Sequence, residues 1–139
     1  MTDTLTPERR SWNMSRIRGR DTGPERRLRS LLHRSGFRFR LHDRRLAGRP
    51  DILLPRYRAA VFVHGCFWHR HPGCRYATTP ATRPEFWRDK FEGNVRRDAR
   101  NREALEKAGW RVITVWECDL KVDPDAVLGL VRGQLERGG

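Results

Sequence analysis

The chain has 139 residues, which suits one domain large enough to bury a core. It is 37% hydrophobic and 34% charged, and its 30 Lys and Arg outnumber 17 Asp and Glu for a net charge of +13. No apolar run approaches the ~18 residues a membrane span needs, and the opening "MTDTLTPERRSW" lacks the apolar stretch of a secretion signal. A cytoplasmic protein with no membrane partner is expected. Only Lys90, Lys107 and Lys121 are lysines. A GC-rich genome explains arginine in place of lysine, but not the excess of positive charge. That excess favours nucleic acid, because phosphate neutralisation releases counterions.

Taken in chain order, "TPERRSWNMSRIRGRDT" reads as a short basic helix stopped at Gly19, with Trp12, Met14 and Ile17 its few apolar residues. "TGPERRLRSLLHRSG" is a stronger helix. Thr22 and Glu25 form a capping box, Pro24 suits the first turn, Leu28, Leu31 and Leu32 make an apolar face, and Gly36 closes it. "FRFRL" alternates, which predicts a strand with Phe37, Phe39 and Leu41 inward. "AGRPDILL" is a turn leading Asp51 into an apolar strand that Pro55 ends, and "RAAVFVHG" is a third, central strand. A loop rich in histidine and cysteine follows. "TRPEFWRDKFEGNVRRDARNREALEKAG" is helical, with Thr82 and Glu85 as a second capping box, a break at Gly93 and a stop at Gly109. "WRVITVWEC" is a fourth strand with Cys118 at its end, and "DPDAVLGLVRGQLERG" a final helix capped by Asp123. This order predicts an α/β fold, a mixed sheet with helices on its faces.

Three sets of residues carry chemistry. Cys66, His71, Cys74 and the distant Cys118 would make a closed Cys₃His structural zinc site, with His69 an alternative to His71 on spacing. An odd cysteine count argues against a disulfide framework, and simple burial of the thiols is the other reading. Asp51 stands where a strand leaves a turn. It can offer a carboxylate, and Val63 a backbone carbonyl, to a hard divalent cation suited to phosphodiester hydrolysis. An aspartate after a turn is common, capping accounts equally well for Glu25, and Asp98 beside Arg96 and Arg97 reads also as a solvated charge. His64 and His69 remain free to move protons beside such a cation, though a buried, hydrogen-bonded His64 is an equal reading. Phe67, Trp68 and Trp87 have the bulk to pack a core or to wedge between base steps.

Together "NMSRIRGRDTGPE", "GRPDILL", "VFVHGCFWHRHPGC", "ATRPEFWRDKFEGNVRRD" and "GWRVITVWEC" resemble the very short patch repair endonucleases, the Vsr family, over nearly the whole chain. The resemblance implies a fold similar to the restriction-endonuclease-like PD-(D/E)xK nucleases, with a structural zinc clip, in one domain over residues 1–139. It implies a magnesium-dependent enzyme that nicks double-stranded DNA 5′ to the thymine of T:G mismatches left by deamination of 5-methylcytosine. By match of position, Asp51 is the direct Mg²⁺ ligand with the Val63 carbonyl. Glu25, His64 and Asp98 support the waters around it, and His69 assists hydrolysis. Cys66, His71, Cys74 and Cys118 hold Zn²⁺. Phe67, Trp68 and Trp87 enter the duplex from the major groove, while Met14 and the basic segment 1–20 reach the minor groove. A monomer is expected, with contact to general mismatch-repair proteins. Some members carry threonine where this chain has Val63, which leaves only a backbone carbonyl there. A restriction-like nuclease of other specificity and a zinc-stabilised DNA-binding protein without cleavage are the alternatives. The joint presence of Asp51, His64 and His69 disfavours the second.

Overall fold

The structure, a computed structural model, describes residues 22–137. The expected N-terminal helix, Met14 and the basic segment 1–20 lie outside the described residues. Helix α1 runs Gly23–Arg34, and its N-cap Thr22 accepts a hydrogen bond from the Glu25 amide at 3.3 Å. Leu28, Leu31 and Leu32 are buried at the helical spacing that the sequence predicts. Gly36 takes φ +87° and turns the chain back toward the sheet.

Strand β1 is only Arg40–Leu41, shorter than the predicted 37–41. Its partner β2 is Ile52–Leu54 and ends at Pro55, so the edge available for pairing runs out after Leu54. Phe37, beyond that edge, and Phe39 lie outside the ladder and pack, half-buried, against the core. Leu41, expected inward, is 40% exposed. A 3₁₀ turn at Pro55–Tyr57 leads into β3, Ala59–His64. A one-turn helix α2, Cys66–His69, begins what reads in sequence as pure loop. Helix α3 spans Pro84–Lys107, β4 Arg111–Trp116, α4 Glu117–Val122 and α5 Pro124–Arg137.

Two predictions for α3 fail. The Thr82–Glu85 capping box does not form, because Arg83 is the N-cap, sits in the left-handed region at φ +57° and receives no side-chain cap. Pro84 presets the first turn instead. The helix also runs unbroken through Gly93. One interior glycine costs roughly 1 kcal/mol relative to alanine, and burial of Trp87, Phe91 and Leu105 on either side outweighs it. Cys118, expected at the end of β4, lies in the first turn of α4. In α5, Asp123 Oδ1 accepts from the Ala126 amide at 3.1 Å, as its capping role predicts.

The sheet order is β1-β2-β3-β4, antiparallel up to β3 and parallel between β3 and β4. A parallel pair needs a crossover, and α3 supplies it. Ile52, Leu54, Ala59, Val61, Ile113 and Val115 pack on one face with leucines of α1 and with Val127, Val131 and Leu135 of α5. Leu53, Ala60 and Val112 face the other way, toward Leu105 of α3. Both faces are thus covered, and the polar residues at the ends of β2 and β3 emerge at one rim beneath α3. Among the described residues no helix is long and apolar enough to cross a membrane.

Candidate active site

The turn before Asp51 is shaped by backbone rather than side chains. Gly48 takes φ +74° and Arg49 φ +48°. A Cβ at Gly48 would lie 2.9 Å from the Asn101 amide nitrogen, so glycine is required both for conformation and for closeness to α3. The turn delivers Asp51 to the start of β2, where its Oδ2 accepts the Val63 amide at 2.7 Å. In a strand the N–H and C=O of one residue leave on the same edge, so the Val63 carbonyl emerges beside Asp51. Burial pushes the Asp51 carboxyl up to about 7 against the lowering effect of that hydrogen bond, and the neighbouring Glu25 pushes the same way.

Glu25 has a second identity beside its place in the capping box. It is 1% exposed, and its Oε1 lies 2.5 Å from His42 Nε2. His42 takes φ +50°, and its amide donates to the Asp51 carbonyl at 3.3 Å. Donor atoms of Glu25, His42 and Asp51 all lie within 4.8 Å of one another. Sequence reasoning missed His42. The available signal is hairpin register, because continuing the pair Leu41–Ile52 by one step sets His42 opposite Asp51.

A second cluster joins three elements. His64 ends β3, is 8% exposed and stacks on His69 of α2 with ring centroids 3.8 Å apart and planes 5° from parallel. His69 Nδ1 lies 2.7 Å from Asp98 Oδ2 on α3. Burial lowers His64 to about 4, His69 lowering it further and Asp98 opposing, so its ring is neutral near pH 7. Asn94, one turn before Asp98, donates to the Trp68 carbonyl at 3.2 Å and ties α2 to α3. It too escaped the sequence reading. Asp51, His42, His64, His69 and Asp98 open onto one cleft of about 1420 Å³, whose walls carry Arg44, Arg49, Arg97 and Arg102.

Cys66, His71, Cys74 and Cys118 bring their sulfurs and ring nitrogen within 4.8 Å of one another. His71 Nδ1 is 3.7 Å from Cys66 Sγ and 3.3 Å from Cys118 Sγ. Sulfur and nitrogen on one tetrahedral zinc stand about 3.6 Å apart. His69, the alternative on spacing, faces Asp98 instead. Burial pushes the Cys66 thiol up to about 12 and raises Cys118, whereas the Tyr76 amide lowers Cys74. The Cys66 amide donates to Glu117 Oε1 at 3.1 Å, and Arg70 donates to the carbonyls of Phe67, Ala77 and Thr78, so the loop is pinned at several points.

The aromatic residues form one cluster. Phe67 meets Trp68 and Phe91 edge-on, each at 5.1 Å, and Trp68 lies 6.0 Å from Trp87. Trp87 lies beneath the other two at 6% exposure, with Phe91 at 5%. Phe67 and Trp68 are half-buried on that floor.

Residues 2–75, which include Asp51, His64, His69 and the first three members of the cysteine set, match the family model described as DNA mismatch endonuclease Vsr. This chain belongs to the Vsr family. It is 52% identical over 120 residues to the type II nicking enzyme V.XorIIP of Xanthomonas oryzae pv. oryzae, covering 86% of this chain and 88% of that one. It is 49% identical over 121 residues to the DNA mismatch endonuclease Vsr of Escherichia coli, covering 87% and 77%. Among solved structures, the catalytic domain of the homing endonuclease I-Bth0305I superposes with a TM-score of 0.56 at 22% identity, over 81% of this chain and 92% of that domain. That likeness concerns fold alone. Membership of the Vsr family makes this protein a DNA endonuclease.

Gly48→Ala tests the turn that presents Asp51. Strain at the positive φ and the contact with Asn101 are expected to cost about 1–3 kcal/mol, read as a lower urea midpoint with unchanged slope. A wild-type midpoint would mean that the turn absorbs a Cβ freely.

Proposed function

We propose that this protein is a Mg²⁺-dependent endonuclease that nicks double-stranded DNA 5′ to the thymine of T:G mismatches arising from 5-methylcytosine deamination. It would thereby start very short patch repair. The observation that carries this reading is the convergence of Asp51 and of the His64–His69–Asp98 array on one arginine-walled cleft. The names of the relatives, mismatch endonuclease and nicking enzyme, support the substrate and the single-strand cut.

The donor set suits the cation. Asp51 and Glu25 offer hard carboxylate oxygens and Val63 a carbonyl, and the burial that pushes Asp51 upward is a cost that a bound cation would offset. Mg²⁺, when bound, would supply positive charge that stabilises the negative charge developing on the phosphate oxygens. Asp51 and the Val63 carbonyl would hold it, with Glu25, His64 and Asp98 ordering its surroundings. Asp98 accepts from His69 Nδ1 and so fixes the tautomer that leaves Nε2 able to exchange a proton with the reacting oxygens. His64 packs flat on the His69 ring and limits its rotation. The arginines of the cleft bind and orient the phosphates.

The Cys66, His71, Cys74 and Cys118 set would take a structural Zn²⁺, supported by its donor types and by two sulfur–nitrogen separations close to those on a tetrahedral ion. Zinc there would hold α2 and its aromatics rigid. Phe67 and Trp68, backed by the buried Trp87, then act as a wedge from the major groove. A T:G wobble stacks less well than a matched pair, so unstacking, a matter of a few kcal/mol per step, costs less there. On this reading residues 1–139 make one domain. The fold is of the PD-(D/E)xK kind, and the protein acts as a cytoplasmic monomer in contact with general mismatch-repair proteins.

The decisive experiment is nicking of labelled T:G duplexes against matched controls. Asp51→Ala is expected to abolish nicking with Mg²⁺ while DNA binding persists or tightens, and His69→Ala to slow single-turnover nicking by roughly 10²–10⁴-fold. Wild-type cutting by Asp51→Ala would move the active site elsewhere. Cys118→Ser is expected to lose the bound zinc, about one ion per chain in the parent protein, and to lower the melting temperature. Equal melting and no zinc in the parent would refute the clip. Trp68→Ala is expected to keep zinc and fold yet reduce the ratio of nicking rates on T:G and T:A duplexes. An unchanged ratio would make Trp68 packing alone.

A further inference from the structure

His42 is used neither by the sequence motifs nor by the mechanism above, yet it stands at the centre of the Asp51 cluster. Three independent features converge on it. Its backbone is left-handed at φ +50°, unusual for a residue with a β-carbon, and such strain persists only where the surroundings hold it. Its amide is tied to the Asp51 carbonyl, so the residue is fixed to the same turn that presents the carboxylate. Its ring lies inward, with the side chain 16% exposed, and its Nε2 meets the nearly buried Glu25.

The carboxylates alone make a hard oxygen site. An imidazole nitrogen alters that preference. Mg²⁺ takes oxygen donors and seldom nitrogen, whereas first-row divalent ions accept both. Donor atoms of Glu25, His42 and Asp51 all fall within 4.8 Å of one another. Opposite ligands of one octahedral ion stand about 4.2 Å apart and neighbouring ones about 3.0 Å, so a cation among these three displaces the proton shared by Glu25 and His42 and opens their 2.5 Å contact slightly. Groups near this point include the Val63 amide and, across the cleft, His69.

We propose that His42 is an imidazole ligand of the divalent cation held at Asp51, that Glu25 then meets the ion directly instead of ordering its surroundings, and that this mixed oxygen–nitrogen site binds Mn²⁺ more tightly than Mg²⁺. The proposal rests on the reading of Asp51 as a cation ligand and specifies which ions the site prefers.

The test uses the full-length, zinc-loaded protein and Mn²⁺ itself as the probe. Electron paramagnetic resonance counts free and bound Mn²⁺, competition with Mg²⁺ gives relative affinity, and electron spin-echo modulation detects a coordinated ¹⁴N nucleus. The parent is expected to bind Mn²⁺ at an Asp51-dependent site at least ~10-fold more tightly than Mg²⁺, with imidazole ¹⁴N modulation. His42→Gln keeps a hydrogen-bonding group for Glu25 but no imidazole. It is expected to lose the modulation and roughly 10–100-fold in Mn²⁺ affinity, with little change for Mg²⁺. If His42→Gln retains both the modulation and the preference, His42 only positions Glu25 and the proposal is overturned. Absence of ¹⁴N modulation in the parent overturns it without any variant. If Asp51→Asn binds Mn²⁺ as the parent does, the cation reading of Asp51 itself falls.

Discussion

One hydrogen bond, from the Val63 amide to the Asp51 carboxylate, couples the two strands on which the site is built. It fixes the carboxylate at the rim of the sheet and sets it one residue before His64. With the charges of His42 and His69 it works against the burial of Asp51, which still pushes the carboxyl up to about 7. A buried carboxylate held at that rim by a neighbouring strand is a costly feature. Such cost is expected where function, not stability, selects the residue.

The opposite wall of the cleft is one face of α3. Asn94, Asp98 and Asn101 fall at i, i+4 and i+7, so a single polar stripe faces the sheet rim. Asn94 holds the Trp68 carbonyl, Asp98 holds His69, and Asn101 lies against Gly48 of the turn before Asp51. A helix that reads as merely charged is thus a straight edge that aligns turn, strand end and α2. A kink at Gly93 would break that alignment, and the continuous helix keeps it.

A ladder of rings joins the cysteine set to the histidines. His71 stacks on Trp116 at 4.2 Å, Trp116 meets His64 edge-on at 5.3 Å, and His64 stacks on His69 at 3.8 Å. His64 and Trp116 are register partners across β3 and β4. The ladder gives a physical reason for "VHGCFWHRH" and "VWEC" to occur in one protein: Trp116 of the second stretch stands between His71 and His64 of the first.

The sequence by itself determined much. The apolar spacing of α1, the strand starting after "GRPD", the cysteine and histidine set and the α/β class follow from local periodicity and from donor chemistry, which short stretches carry whole. It could not decide between His69 and His71, because both fit the loop spacing. Only α3, arriving with Asp98, took His69 and left His71 to the sulfurs. It could not reveal His42, because that residue meets Asp51 through hairpin register and Glu25 through the packing of α1 on the sheet. Nor could it predict the short β1 or the buried Trp87, since both depend on what neighbouring elements leave available: β2 ends at Pro55, and Phe67 and Trp68 cover the helix face above Trp87. Side chains that touch across distant parts of the chain are fixed by packing, and packing is a property of the assembled fold.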